Sequence, residues 1–97
     1  MRYQVGKISV EWDNAKNDLN VKKHGLSFAT AARVFSDVNR VELYDFNHSD
    51  KEARYITIGM VNKIISVVYT ERKKALRIIS ARVATSAERR IYYGKNN

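Results

Sequence analysis

The side chains best suited to chemistry on an anion lie in VVYTERKKALRIISAR, residues 67–82. Arg72, Arg77 and Arg82 stand in or beside runs of strand-forming residues, with Lys73 and Lys74 between them. A guanidinium offers parallel N–H groups that grip a phosphate through two charge-assisted hydrogen bonds. In a strand, neighbouring side chains point to opposite faces. An even hairpin loop groups Arg82 with Glu71 and Tyr69, and an odd loop groups it with Arg72 and Thr70; no turn residue fixes that register. Either way Arg77 and Arg82 cannot both enter the core, because an unpaired buried charge is too costly. At least one of them lines an accessible or paired site. The competing account is that Glu71 forms a plain surface bridge with Arg77 or Arg82.

Other candidates are weaker on their own. Lys22, Lys23 and His24 close a helix, where positive charge complements the macrodipole; phosphate contact is the alternative. His24 and His48 are the only histidines, with no second ligand at metal spacing, so no metal site is expected. His48, beside Ser49 and Asp50, reads as a loop hydrogen-bonder or a proton shuttle. Tyr69, Tyr92 and Tyr93 could stack on bases, although partial burial is the commoner fate of such tyrosines.

The elements that must hold these groups follow from the pattern. Ile8–Trp12 alternates as a strand, and Asp13 sits as the N-cap of a helix over Asn14–His24 that Gly25 ends. Ser27 caps a second helix, whose Phe28, Ala31, Ala32 and Phe35 form one apolar stripe, with Leu26 as a staple. Strands are expected at Val41–Phe46, Arg54–Val61, Lys63–Arg72 and Leu76–Val83, with turns near Val61-Asn62-Lys63 and at Arg72-Lys73-Lys74-Ala75. Thr85 and Glu88 form a capping box for a short helix running to Tyr93, with Gly94 as its stop. The expectation is α+β, with two N-terminal helices packed on an antiparallel sheet of three to four strands and a short C-terminal helix.

The totals set bounds. Ninety-seven residues are one domain's worth, with no visible linker or repeat. There is no Cys, no signal-peptide pattern and no apolar run near the roughly 18 to 20 residues that cross a bilayer, so a cytoplasmic protein away from membranes is expected. The charge of +8 is lopsided: residues 1–50 carry seven Lys/Arg against seven Asp/Glu, and residues 51–97 carry eleven against three. That asymmetry points to a polyanion or an acidic protein partner, and a solvated surface is the plainer explanation.

Several segments in order carry a resemblance: Glu11-Trp12-Asp13, Asn17, Lys23-His24-Gly25-Leu26-Ser27-Phe28, Val34-Phe35-Ser36-Asp37 and His48-Ser49. Arg54, Ile58-Gly59, Val68–Arg72, Arg77–Arg82 and Glu88-Arg89 complete it. From about Ile8 to Tyr93 the chain resembles the BrnT-type toxins of type II toxin–antitoxin systems. The resemblance implies a RelE-like ribonuclease fold and RNA cleavage in the bacterial cytoplasm. It also implies inhibition by a cognate ribbon-helix-helix antitoxin, with which the toxin represses its operon by binding operator DNA through the antitoxin. Two departures stand out. Val83 occupies a position where the family pattern has a basic residue, which would weaken RNA binding. Residues 1–7 read as an addition of little consequence.

Under that resemblance the expected chemistry is metal-independent and cofactor-free, with the substrate 2′-hydroxyl as nucleophile. Such a reaction needs a base, cations around the pentavalent phosphorus and an acid for the leaving 5′ oxygen. Arg72, Arg77 and Arg82 are the expected clamp, with Arg54 assisting from the next strand and Lys23, beside Lys22, from the helix end. Glu71 is a candidate base, weakened by its arginine neighbours, and His24 or His48 could replace it. Tyr69 would position a base or the scissile phosphate. The rival readings are a non-catalytic basic module that grips nucleic acid or an acidic protein, and an interaction protein whose task is the repressor complex.

Overall fold

The computed structural model describes residues 1–48 and 51–96, and for His48 the backbone alone. Alternating Ile8, Val10 and Trp12 turn inward, so Arg2–Val5 (β1) and Ile8–Glu11 (β2) form a hairpin whose apolar side joins the core. Asp13 accepts the amides of Ala15 and Lys16 and starts α1, Asn14–His24; Gly25, at φ 67°, ends it. Ser27 caps α2, Phe28–Ala31, which tightens into a 3-10 turn over Ala32–Ser36. Then come β3, Val41–Tyr44; β4, Arg54–Val61; β5, Lys63–Arg72; β6, Ala75–Val83; and α3, Ser86–Lys95.

The strands form one six-stranded sheet in the order β1-β2-β6-β5-β4-β3. All neighbours are antiparallel except β2 and β6, which run parallel. The fold is α+β as expected, but the expected three- to four-strand antiparallel sheet is corrected to six mixed strands. Strand β1 comes from residues 1–7, which thus join the sheet, and β2 lies at the outer edge of β6, parallel to it. The second helix is also shorter than its stripe suggested. Phe28, Ala31, Ala32 and Phe35 are all buried, but Val34 is driven against Gly59, where a Cβ would stand 2.6 Å from its Cγ2. Gly94 does not stop α3; the helix continues to Lys95, and the Asn96 side chain caps it by donating to the Tyr92 and Asn39 carbonyls.

The two sheet faces differ. One carries Ile65, Val67, Tyr69, Ile78 and Ala81 against Trp12, Phe28, Val34 and Phe35. The other is covered in part by α3, where Tyr92 packs with Val41, Ile58, Ile64 and Ala84. Asp37 ties that helix down, accepting the Tyr92 hydroxyl at 2.7 Å and the Met60 amide at 2.8 Å. Burial and the neighbouring Asp37 carboxylate push the Tyr92 phenol up to about 12.

Beyond its pairing with β2, the outer edge of β6 meets a side chain. Asn20 of α1 accepts the Ala81 amide at 3.1 Å and donates to the Ala81 carbonyl at 2.8 Å, so its amide group stands in for a neighbouring strand. It donates as well to Leu26, while Asn17 accepts the Phe28 amide. Buried polar groups left without partners cost about 1–3 kcal/mol each. Asn20→Ala should therefore lower the unfolding free energy by about 2–3 kcal/mol in urea titration. A change below about 0.5 kcal/mol would show that apolar packing alone holds α1 to the strand.

Candidate active site

The turn between β5 and β6 is the two residues Lys73 and Lys74, which sets Arg72 opposite Ala75 and Arg77 opposite Thr70. The register then shifts: Tyr69 faces Ile78, Val68 faces Ser80, and Ile79 is the extra residue of a bulge. Past it, Arg82 lies opposite Ser66. Directly opposed residues share a face, so Arg72, Arg77 and Arg82 all lie on the face away from α1. This corrects the expectation from loop parity. The loop is even, yet the bulge moves Arg82 to the side of Arg72 and Thr70. It also explains how Ile78 and Ala81, an odd number of positions apart, both enter one core.

Arg72 and Arg77 border an open hollow of about 580 Å³ whose lining also includes Arg2, Glu11, Lys73 and Lys74. Parallel pairing places Glu11 beside Arg77. Arg77 Nη1 donates to Glu11 Oε2 at 2.7 Å, and Arg2 Nη2 donates to Glu11 Oε1 at 3.1 Å. The Arg2 hydrogen bond, together with that of Arg77, outweighs partial burial and holds the Glu11 carboxyl below the usual range. Arg72 makes a longer contact of 3.5 Å with Glu52. In the cross-strand row Arg77–Thr70–Arg54, the Thr70 hydroxyl is buried without a hydrogen-bond partner among the described residues.

Arg82 is engaged differently. Its two terminal nitrogens donate to Glu88 at 2.7 and 3.0 Å, a bidentate pair. Glu88 also accepts the Thr85 amide and the Ser66 hydroxyl, closing the capping box of α3. Burial works against this carboxylate, but Arg82 and the Thr85 amide overcome it and hold its pKa low. Arg82 is thus the brace between β6 and α3, about 13 Å along the strand from Arg77 at the usual rise per residue.

The remaining sequence candidates are dispersed. Glu71 pairs with Leu76 and lies on the opposite face, where it adjoins Tyr55. Tyr69 is on that face too, 4 % exposed, edge-on to Phe35 and stacked on Tyr55. Burial, then Glu42, pushes its phenol up. Lys22, Lys23 and His24 end α1, which packs on the core side and edge of β6. The His48 side chain lies outside the described residues. The carboxylate that the fold brings to the arginines is Glu11, and Arg2 comes with it. The alternation Ile8-Val10-Trp12 already put Glu11 on the polar side of its strand, but the parallel partner of that strand left no local trace. Among the described residues no cluster of three or more His, Cys, Asp or Glu forms a metal-ligand set. No helix among them is long and apolar enough to cross a membrane.

The site is thus a cation-lined hollow on one face of a small mixed sheet. Residues 12–88 match the family described as the ribonuclease toxin BrnT of type II toxin–antitoxin systems. The chain belongs to this family. It is also similar to the Brucella abortus ribonuclease toxin BrnT, solved at 1.1 Å resolution, with 31% identity, a TM-score of 0.61, and coverage of 79% of this chain and 96% of that one. No curated protein sequence matches it.

Because the folded pKa of Glu88 lies below its ordinary 4.5, its contribution to stability is complete above that value and is lost as pH falls through the lower folded value. Glu88→Gln should cost about 1–3 kcal/mol at pH 7 and flatten the decline of stability below pH 4.5. Chemical denaturation of both proteins from pH 7 to pH 3 checks this. Parallel curves would remove the Arg82 brace as the cause.

Proposed function

We propose that this ribonuclease toxin cuts RNA without a metal ion, the substrate 2′-hydroxyl attacking the adjacent phosphorus. The observation that carries the reading is the placement of Arg72 and Arg77 around one open hollow, with Lys73 and Lys74 at its rim. The scissile phosphate binds there against the two guanidinium groups. As the 2′ oxygen adds, the equatorial oxygens gain charge and the preset N–H donors stabilise it without rearranging. Glu11 is the carboxylate at hand to accept the 2′ proton. Held anionic by Arg2 and Arg77, it is a weak base, so electrostatic stabilisation supplies most of the acceleration. The 5′ oxygen departs with a proton from solvent, leaving a 2′,3′-cyclic phosphate. Arg54 stands in the same cross-strand row and steers the RNA backbone. The lysines Lys22 and Lys23 at the end of α1 add to the general attraction of the protein for a polyanion.

In the cell the toxin acts in the bacterial cytoplasm. Its cognate antitoxin, of the ribbon-helix-helix type, covers the cationic face and carries the complex to operator DNA, so the pair represses its own operon. Charge complementarity with the +8 chain supports an acidic segment on that antitoxin.

Arg77→Ala should abolish growth arrest on induction and lower RNA cleavage by about 10²–10³-fold, as loss of one charge-stabilising donor does elsewhere. The purified antitoxin should still bind it. Cleavage products of the unaltered toxin should carry 2′,3′-cyclic phosphates and form equally in EDTA. Cutting that stops in EDTA and returns with magnesium would overturn the mechanism. RNA that is bound but never cut would return the chain to a basic binding module.

A further inference from the structure

The cations of the hollow do not all come from the part of the chain that the family shares. The family match covers residues 12–88, whereas Arg2 belongs to β1 of the hairpin ahead of it. That hairpin is in register with the rest of the site. Arg2 lies opposite Glu11, Glu11 beside Arg77, Arg77 opposite Thr70, and Thr70 opposite Arg54. Arg54, Arg77 and Arg2 therefore stand on one face along a line that crosses the strands. Four inter-strand intervals separate β4 from β1 in the sheet order; at about 4.8 Å each they span about 19 Å. Phosphates of one nucleic-acid strand are spaced about 3.4 Å apart along a helix axis, so the line is long enough for several of them.

Glu11 interrupts this line with a negative charge, 3.1 Å from Arg2 and 2.7 Å from Arg77. The Arg2 side chain is 64% exposed, and an ion pair that open to water is cheaply exchanged for another. The Glu11 carboxylate contacts both guanidinium groups on the sheet face and offsets their like charge.

We propose that RNA crosses the sheet along this row, perpendicular to the strands, and that the amino-terminal strand extends the track with a phosphate contact from Arg2. Glu11 is the anion with which the RNA phosphates compete for Arg2 and Arg77. The inference rests on the ribonuclease reading of the hollow and adds a direction and a length to it. The amino-terminal strand is then part of the substrate site, contrary to the expectation that residues 1–7 matter little.

The test is equilibrium binding of a single-stranded RNA oligonucleotide, 2′-O-methylated so that it cannot be cut, measured over a series of salt concentrations. Arg2→Ala should weaken binding and reduce the slope of log affinity against log salt by about 0.7, the value for one phosphate contact on a single strand. Arg2→Lys should retain the slope. Glu11→Gln should bind the oligonucleotide more tightly than the unaltered protein while cutting an unmodified one more slowly. Arg77→Ala serves as the reference for the hollow itself. Should Arg2→Ala keep full affinity and slope while Arg77→Ala loses both, the track ends at β6 and the inference is overturned with the ribonuclease reading intact. Should neither variant change binding, the hollow is not where RNA docks, and both readings fall. Weaker binding by Glu11→Gln would make Glu11 a scaffold for the arginines and overturn its role as competitor.

Discussion

One inserted residue in β6 governs the geometry of this protein. Without Ile79 outside the ladder, strict alternation would send Arg77 and Arg82 to opposite sides of the sheet. One of them would then press into the packing around Phe28 and Phe35, where an ionised side chain costs several kcal/mol or more. The bulge lets the same strand supply Ile78 and Ala81 to the core and both arginines to the open face. Bulges often sit beside functional sites because they re-aim side chains without breaking the sheet. Here the re-aiming changes a mixed strand into one with a dry side and a charged side.

The three arginines are held with graded firmness. Arg82 is locked in a bidentate pair with Glu88, whose carboxylate also starts a helix. Arg77 shares Glu11 with Arg2, and Arg72 reaches Glu52 only at 3.5 Å. A guanidinium that is already oriented pays little reorganisation when a phosphate arrives, provided its resident partner can be displaced. The bidentate pair of Arg82 joins β6 to α3, whereas the single contacts of Arg77 and Arg72 leave N–H groups toward the hollow.

Much of the local structure was legible in the sequence because its causes are local. The Asp13, Ser27 and Thr85 caps, the left-handed Gly25 and the apolar stripe of Phe28, Ala31, Ala32 and Phe35 all act within a few residues. The strands β4 and β5 matched their alternation at both ends. What was hidden depends on partners distant in sequence. The parallel pairing of β2 with β6 brings Glu11 to Arg77, 66 positions away. Asn20 reads as an ordinary helical polar residue until Ala81 is placed beside it. The register shift arises where Ile78, Ile79 and Ser80 meet β5, and a run of strand formers gives no sign of which residue will be left over. The candidate site was accordingly half legible: Arg72 and Arg77, which line the hollow, stood out by type and spacing, whereas Glu71 and Tyr69, adjacent to them along the chain, lie on the other face.

The α3 helix is fastened to the sheet at both of its ends. Glu88 secures its first turn to Arg82 and Ser66, while Tyr92 and Asn96 secure its last turns to Asp37 and Asn39. A helix pinned at both ends cannot swing outward unless two separate polar clusters dissolve together. The helix is consequently a fixed cover over Val41, Ile58 and Ile64, and the extent of sheet left open beside it is set by the fold itself.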